Sequence, residues 1–259
     1  MPSWNADQYL KFARERTQPA RDLAARVAVE APRAVVDLGC GPGNSTALLV
    51  ARWPAAEVSG LDSSSAMIAA ARRDYPRQQW AVGDITAWAA ADGPQFDIVF
   101  SNAALQWVPD HLALYPALFR RVAPGGAFAV QMPMNLDAPA HVQMRALAST
   151  PAWACLLPAG GVREWHVHDA GFYYDLLSGM AARVELWETE YLHVMESAAA
   201  IVEWYKGTGL RPFLDALPTD DDRGSFLADY AERITDAYPA RGDGRVLFPF
   251  RRFFLVAYR

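Results

Sequence analysis

Two cysteines, Cys40 and Cys155, and two lysines, Lys11 and Lys206, are all that 259 residues contain of either type. Cysteines so few and so far apart make neither a disulfide framework nor a metal-ligand spacing, and both are expected as reduced thiols. The shortage of lysine leaves arginine carrying nearly all the positive charge. Codon bias is the bland reading of that pattern and the one favoured here, although arginine at individual positions suits bidentate recognition of carboxylates. No run of about 18 apolar residues is available to span a bilayer. The opening MPSWNADQYLKFARERTQ also lacks the basic-then-apolar order of a signal peptide, so a cytoplasmic protein with no membrane partner is expected. A formal net charge of −5 argues against non-specific nucleic-acid binding, which phosphate neutralisation drives. Internal repeats and low-complexity linkers are missing, and 52% hydrophobic with 20% charged residues is an ordinary globular composition. A single domain over 1–259 is expected, and nothing in the sequence sets its oligomeric state.

What is present begins with AVVDLGCGPGNST, Ala34 to Thr46. Val35, Val36 and Leu38 are the apolar run of a central parallel strand, and Gly39, Gly41 and Gly43 let the backbone turn and approach a ligand. Ser45 or Thr46 is placed to satisfy the first N–H groups of the helix that follows. The spacing G-x-G-x-G, with Asp37 just ahead of it, departs from the G-x-G-x-x-G of dinucleotide binding. About 20 residues on, the strand EVSGLD ends at Asp62, where a carboxylate accepts two hydrogen bonds from a ribose diol or caps the next helix, roles that coexist. A third strand ends at Gly83 and Asp84, followed by Ile85, with Trp88 either walling a purine or packing in the core. A fourth, in FDIVFSNAALQWVPD, breaks at Ser101 and Asn102. Polar residues at four successive strand ends converge on one ligand edge, as open α/β sheets require.

This conjunction, from Ala34 to about Met132, resembles the class I S-adenosylmethionine (SAM) methyltransferases. The resemblance implies a Rossmann-like seven-stranded α/β sheet with an N-terminal helical arm (1–30), a SAM-binding core (31–132), a lid insertion (133–180), and last strands (183–259) carrying a helical insertion (197–238). It implies SAM contacts from Asp37, Gly39, Gly41, Gly43 and Asp62. Asp84 is implied at the adenine amino group, the Ile85 N–H at a ring nitrogen, and Asn102 at the methionine portion, with Gln106 and Trp107 at the substrate rim. The runs YLKFARERTQPARDL, LQWVPDH, IVEWYKGTGLRPFLDAL and DGRVLFPFRRFFLVA extend the likeness over nearly the whole chain to the trans-aconitate 2-methyltransferase family. That family esterifies a carboxylate of trans-aconitate, a small anionic polycarboxylate, with SAM. The alternatives are a methyltransferase of the same fold for another acceptor and a non-catalytic SAM-binding protein.

Carboxylate methylation requires no general base, because the acceptor is already an anion at pH 7, and no residue is assigned as acid or base. Positioning is the mechanism expected. Arg16, His111, Lys206 and Arg211, with Arg252 as a weaker addition, are the candidate anchors for the acceptor's carboxylates, each equally readable as an ordinary surface ion pair. A neutral acceptor would instead require a base, for which His111 is the residue to suspect. Gly207 and Gly209 either form an anion-binding turn beside Lys206 and Thr208 or simply end a helix. His166 and His168 have the spacing of two strand-face ligands, but with no third ligand no metal is expected.

The remaining pattern predicts one or two helices over Asp7 to Glu30 broken at Pro19, with Tyr9 and Phe12 as packing residues. An irregular stretch is expected from Pro133 to Met180. Strands are predicted at Arg183 to Met195 and Arg245 to Arg259, and helices at Ser197 to Lys206 and Ser225 to Tyr238.

Overall fold

The computed structural model describes residues 13–158, 162 and 165–259. Its strands are β1 (Ala34–Leu38), β2 (Glu57–Asp62), β3 (Gln79–Val82), β4 (Phe96–Asn102), β5 (Val122–Pro133), β6 (Arg183–Met195) and β7 (Val246–Tyr258). They form one seven-stranded sheet in the order β3-β2-β1-β4-β5-β7-β6. All pairs from β3 to β5 are parallel, and β7 is antiparallel to β5. Chain order reverses between β1 and β4, which opens a crevice beyond their carboxyl ends. β1 sits in the middle because Val35, Val36 and Leu38 are 0 to 3% exposed and need cover on both sides. β6, an edge strand, alternates in exposure and carries Glu185, Glu188 and Glu190, charges that discourage pairing with another chain.

Among the described residues the helices are α1 (Ala13–Arg26), α2 (Asn44–Arg52), α3 (Ser65–Asp74), α4 (Ile85–Ala90), α5 (His111–Arg120), α6 (Pro139–Ala148), α7 (Pro151–Ala154), α8 (Ala170–Ser178), α9 (Ala198–Lys206), α10 (Arg211–Ala216) and α11 (Asp220–Ala237). Contacts divide the chain into two compact units. The sheet unit comprises Ala13–Pro133, Trp165–Thr189 and Arg252–Arg259, and the helical unit includes Met134–Glu164 and Glu190–Arg251. The stretch 133–180 is shared between these units.

Within the sheet unit, α1 and α2 cover one face. Ser45 and Thr46 of α2 bond to Asp37, and the Tyr258 hydroxyl donates to the Arg26 carbonyl at 3.4 Å. The opposite face carries α5 and α8, with the Tyr115 hydroxyl on Met132 Sδ at 3.4 Å and Tyr173 stacked on Phe253. α1 continues through Pro19 instead of breaking there. Burial of Ala20, Leu23, Ala24 and Val27 outweighs the single hydrogen bond that proline removes.

In the helical unit, α6, α9 and α11 enclose Trp204, Tyr205, Phe226, Tyr230 and Phe248, all 2% exposed or less. Tyr230 donates to the Ala140 carbonyl at 3.0 Å, and the Ala140 N–H donates to the Tyr238 hydroxyl at 3.1 Å. The stretch expected to be irregular thus holds α6, α7 and α8. α11 starts at Asp220, ahead of the expected Ser225, because Thr219 and Asp222 form a reciprocal capping box.

Candidate active site

The glycine loop is built by close approach on one side and openness on the other. Gly39 adopts φ +72°, and a Cβ there would lie 2.2 Å from that of Ala104, so no other residue fits. At Gly41, φ +54°, a Cβ would meet nothing within 4 Å, leaving that side of the loop to a ligand. Cys40 between them packs with Ile68, Ala71 and Trp80, and burial pushes its thiol pKa up, so it is inert packing.

Asp37 lies beneath this loop and is 0% exposed. Its Oδ2 accepts from Ser45 Oγ at 2.7 Å and Thr46 Oγ1 at 2.6 Å, whereas Oδ1 has no partner. Ser45 and Thr46 therefore do not cap α2 as expected. Gly43 occupies the N-cap position, and the hydroxyls fasten the helix to the strand instead. Burial raises the Asp37 pKa from 3.8 to about 6, against the lowering effect of the two hydroxyls.

Asp62 turns one oxygen to each side: Oδ2 accepts from the Gly41 N–H at 2.9 Å and Oδ1 from the Ser64 N–H at 2.8 Å. Each oxygen keeps lone-pair capacity for a further donor. Burial raises its pKa, opposed by those two backbone bonds. The cap of α3 is Ser64, whose Oγ accepts from the Met67 N–H at 3.3 Å, so Asp62 is not the N-cap. Asp84 is the N-cap of α4, with Oδ1 accepting from Ala87 N–H at 2.9 Å and the carboxylate exposed. Ile85 follows at the first helical position, where the N–H has no intrahelical acceptor. Trp88 packs in the fold: the Arg121 guanidinium lies over its ring at 3.9 Å and Phe96 at 5.8 Å.

Asn102 closes β4 with Oδ1 buried and unpartnered. Ala103 then takes φ +54°, a left-handed conformation costly for alanine, which throws Ala104 against Gly39. Gln106 is 3% exposed, so it is not at an open rim. Its Nε2 donates to the Ala103 carbonyl at 2.9 Å, and its Oε1 has no partner. Trp107 is half-buried, edge-on to Trp165 at 5.7 Å.

His111 is 1% exposed and fully engaged. Its Nε2 lies 3.0 Å from the Leu105 carbonyl, which only accepts, so Nε2 carries the proton. Nδ1 then accepts from the Tyr173 hydroxyl at 2.8 Å. Burial lowers the imidazole pKa and raises that of Tyr173 to about 12. His111 thus fastens the turn at Leu105–Trp107 to α8, and neither nitrogen is available as an anchor or base. His168 stacks on Phe172 at 3.9 Å and belongs to irregular backbone with His166, not to a strand. Among the described residues no three His, Cys, Asp or Glu groups gather around a metal position.

The other expected anchors belong to both units. Arg16 falls in α1, with its side chain outside the described residues, as are Tyr9 and Phe12. Arg252 is 4% exposed on β7, in the sheet unit. In the helical unit, Lys206 donates to Glu203 Oε1 at 2.7 Å, and Arg211 lies 3.4 Å from Asp215 Oδ2. The turn between them forms no anion cradle. The Thr208 and Leu210 N–H groups both donate to the Tyr205 carbonyl, that of Arg211 to Thr208, and the Thr208 hydroxyl to Trp204. Gly207 closes α9 at φ −84°, and Gly209 is where a Cβ would press within 3.0 Å of the Tyr205 ring. Sequence reasoning passed over Gln131, a fully buried amide in β5 with neither side-chain atom partnered. Its signal was a lone glutamine in the apolar run AFAVQMP.

Residues 35–126 match the family model of a methyltransferase domain. The trans-aconitate 2-methyltransferase of Azoarcus sp. (strain BH72) is 53% identical over 260 residues, covering 100% of both chains. The chain belongs to the trans-aconitate 2-methyltransferase family. That of Methylobacterium radiotolerans is 51% identical over 99% of this chain and 98% of its own. Among solved structures, the YcgJ protein of Bacillus subtilis superimposes with a TM-score of 0.58 at 14% identity, covering 93% of this chain and 98% of that one. A phosphoethanolamine N-methyltransferase of Haemonchus contortus gives 0.56 at 16%, covering 93% of this chain and 52% of that one. At such identities they establish the fold, which is the methyltransferase sheet expected from the sequence. No helix among the described residues is long and apolar enough to cross a membrane.

Proposed function

We propose that this member of the trans-aconitate 2-methyltransferase family transfers the methyl group of SAM to one carboxylate of trans-aconitate, giving a monomethyl ester. The observation that carries the proposal is identity of about half over the full length of relatives bearing that name. The site's donor set fits SAM. Asp62 keeps acceptor capacity on both oxygens for a ribose diol, Gly41 leaves the loop open, and Asn102 Oδ1 and Asp37 Oδ1 are buried acceptors awaiting donors. Asp84 keeps its second oxygen for an adenine amino group, and the Ile85 N–H, without an intrahelical acceptor, would serve a ring nitrogen. When bound, SAM supplies an electrophilic methyl on a sulfonium.

The protein's part is to bind and align. An acceptor carboxylate has a pKa near 4 and attacks as the anion, so no residue must remove a proton. In-line placement of oxygen, carbon and sulfur is worth roughly 7–11 kcal/mol of barrier. A neutral acceptor would demand a base, and the doubly engaged His111 disfavours that alternative. The test is methyl transfer from labelled SAM to trans-aconitate, cis-aconitate, citrate, isocitrate and a fatty acid, with product masses determined. Ester formation preferring trans-aconitate is expected. Absence of transfer to every polycarboxylate, with SAM still bound, overturns the acceptor assignment.

A further inference from the structure

The Gln131 backbone is spoken for, since its carbonyl accepts from the Ala103 N–H at 2.9 Å. Its side chain is 0% exposed, yet Nε2 and Oε1 both lack a partner. Burying an amide unpaired is costly, and methionine would fill the same volume without that cost. Such an orphan in the centre of a sheet needs an explanation, and a bound ligand supplies one.

Strand register says where that ligand lies. Gln131 pairs with Asn102 on β4 and with Phe254 on β7. Paired residues of adjacent strands project to the same face about 4.8 Å apart. Asn102, with its own unpartnered buried Oδ1, is thus the immediate neighbour of Gln131. Arg252, two residues from Phe254, leaves β7 on that face, and Asp37, paired with Phe100, leaves β1 on it too. Across β1, β4, β5 and β7 the polar groups run from carboxylate through two amides to guanidinium. The row is graded in charge. A sulfonium and ammonium suit its Asp37–Asn102 end, and an anion suits its Gln131–Arg252 end.

We propose that Gln131 is an acceptor-binding residue, donating from Nε2 to a carboxylate of trans-aconitate other than the one methylated. This rests on the function proposed above. Donation to the attacking oxygen would blunt it, whereas donation to a neighbouring carboxylate fixes the acceptor one strand spacing from the methionyl end of the cofactor.

The experiment compares the parent protein with Gln131→Met and Gln131→Glu in kcat and KM for trans-aconitate, Kd for SAM by calorimetry, and Tm. The expected result for Gln131→Met is a KM raised about 10- to 100-fold, the loss of one hydrogen bond to a charged group. kcat should change little, Kd for SAM should not move, and Tm should hold or rise because an unsatisfied amide has gone. Gln131→Glu should raise KM further by placing a carboxylate against the acceptor. An unchanged KM overturns the proposal, as does a loss that appears in the Kd for SAM or that follows a fall in Tm in both variants. If the parent protein esterifies no polycarboxylate, the functional proposal fails first and this one with it. If the parent is active and the variants match it, only this one fails.

Discussion

Replacing Asp37 by asparagine should stabilise the protein at neutral pH and leave it a poorer binder of SAM. The unfolded carboxyl ionises near 3.8 and the folded one near 6, because burial penalises the charge more than the Ser45 and Thr46 hydroxyls relieve it. Between those values the folded state holds more protons than the unfolded state, so this group's contribution to stability falls as pH rises and is flat above about 6. At 1.36 kcal/mol per pKa unit the total is about 3 kcal/mol. Asparagine keeps a carbonyl oxygen for the two hydroxyls and carries no charge. The free-energy difference between Asp37→Asn and the parent should therefore grow by about 2 kcal/mol from pH 4 to pH 6 and level at about 3 kcal/mol by pH 8, a Tm gain there of roughly 6–12 °C for a chain of this size. Urea unfolding of both proteins at pH 4, 5, 6, 7 and 8, at one ionic strength, measures that difference directly. A difference independent of pH, or one that grows as pH falls, would refute the reasoning. Calorimetry on the same samples should show weaker SAM binding, since the carboxylate that costs stability is ionised at pH 8 below a cationic ligand.

Other outcomes follow from single contacts. His141, 5% exposed with its pKa lowered by burial to about 3, must stay neutral in the fold while the unfolded chain binds a proton near 6.5. Stability it contributes above that value is lost as pH falls, about 2 kcal/mol by pH 5, so His141→Leu should narrow the gap between urea midpoints at pH 7 and pH 5; an unchanged gap counts against it. Thr219→Ala removes the capping box of α11 and should cost about 1 kcal/mol by urea denaturation, with Thr219→Ser restoring most of it. Lys206→Met breaks an i,i+3 pair worth about 0.2–0.5 kcal/mol and should leave kcat/KM for trans-aconitate unaltered. A rise in KM confined to polycarboxylates would return Lys206 to the acceptor.

The parts of the site that sequence made legible are those encoded by local backbone need. Gly39 and Gly41 are legible as turn residues because a left-handed conformation at a strand end leaves few other residues possible. Asp62 and Asp84 are found because each stands where an apolar run stops, and the structure puts both carboxylates at carboxyl ends of adjoining parallel strands. The central strands β1 and β4 follow from the apolar runs Val35–Val36 and Ile98–Phe100. The helices of 133–180 were missed because their clustered Pro, Trp and His weaken periodicity, while Pro139 and Pro151 in fact stand at helix starts.

Charge was the poorer guide, and the reason is geometric. A lone Lys206, Arg211 or His111 in a sequence advertises chemistry, but each finds a partner within a few residues or across one packing interface, and the partner consumes what made it conspicuous. Asp37, Asn102 and Gln131 run the other way. The family resemblance reaches Asp37 and Asn102 at their strand ends, whereas Gln131 sits inside an apolar strand and stands out only once register sets it on their face with unpartnered atoms. A polar atom that the fold buries and leaves unbonded destabilises the free protein, and that is tolerable when a ligand completes it. The residues that lower stability are therefore a better guide to this site than those that carry charge, and substitutions that stabilise the chain at Asp37 or Gln131 should be the ones that disarm it.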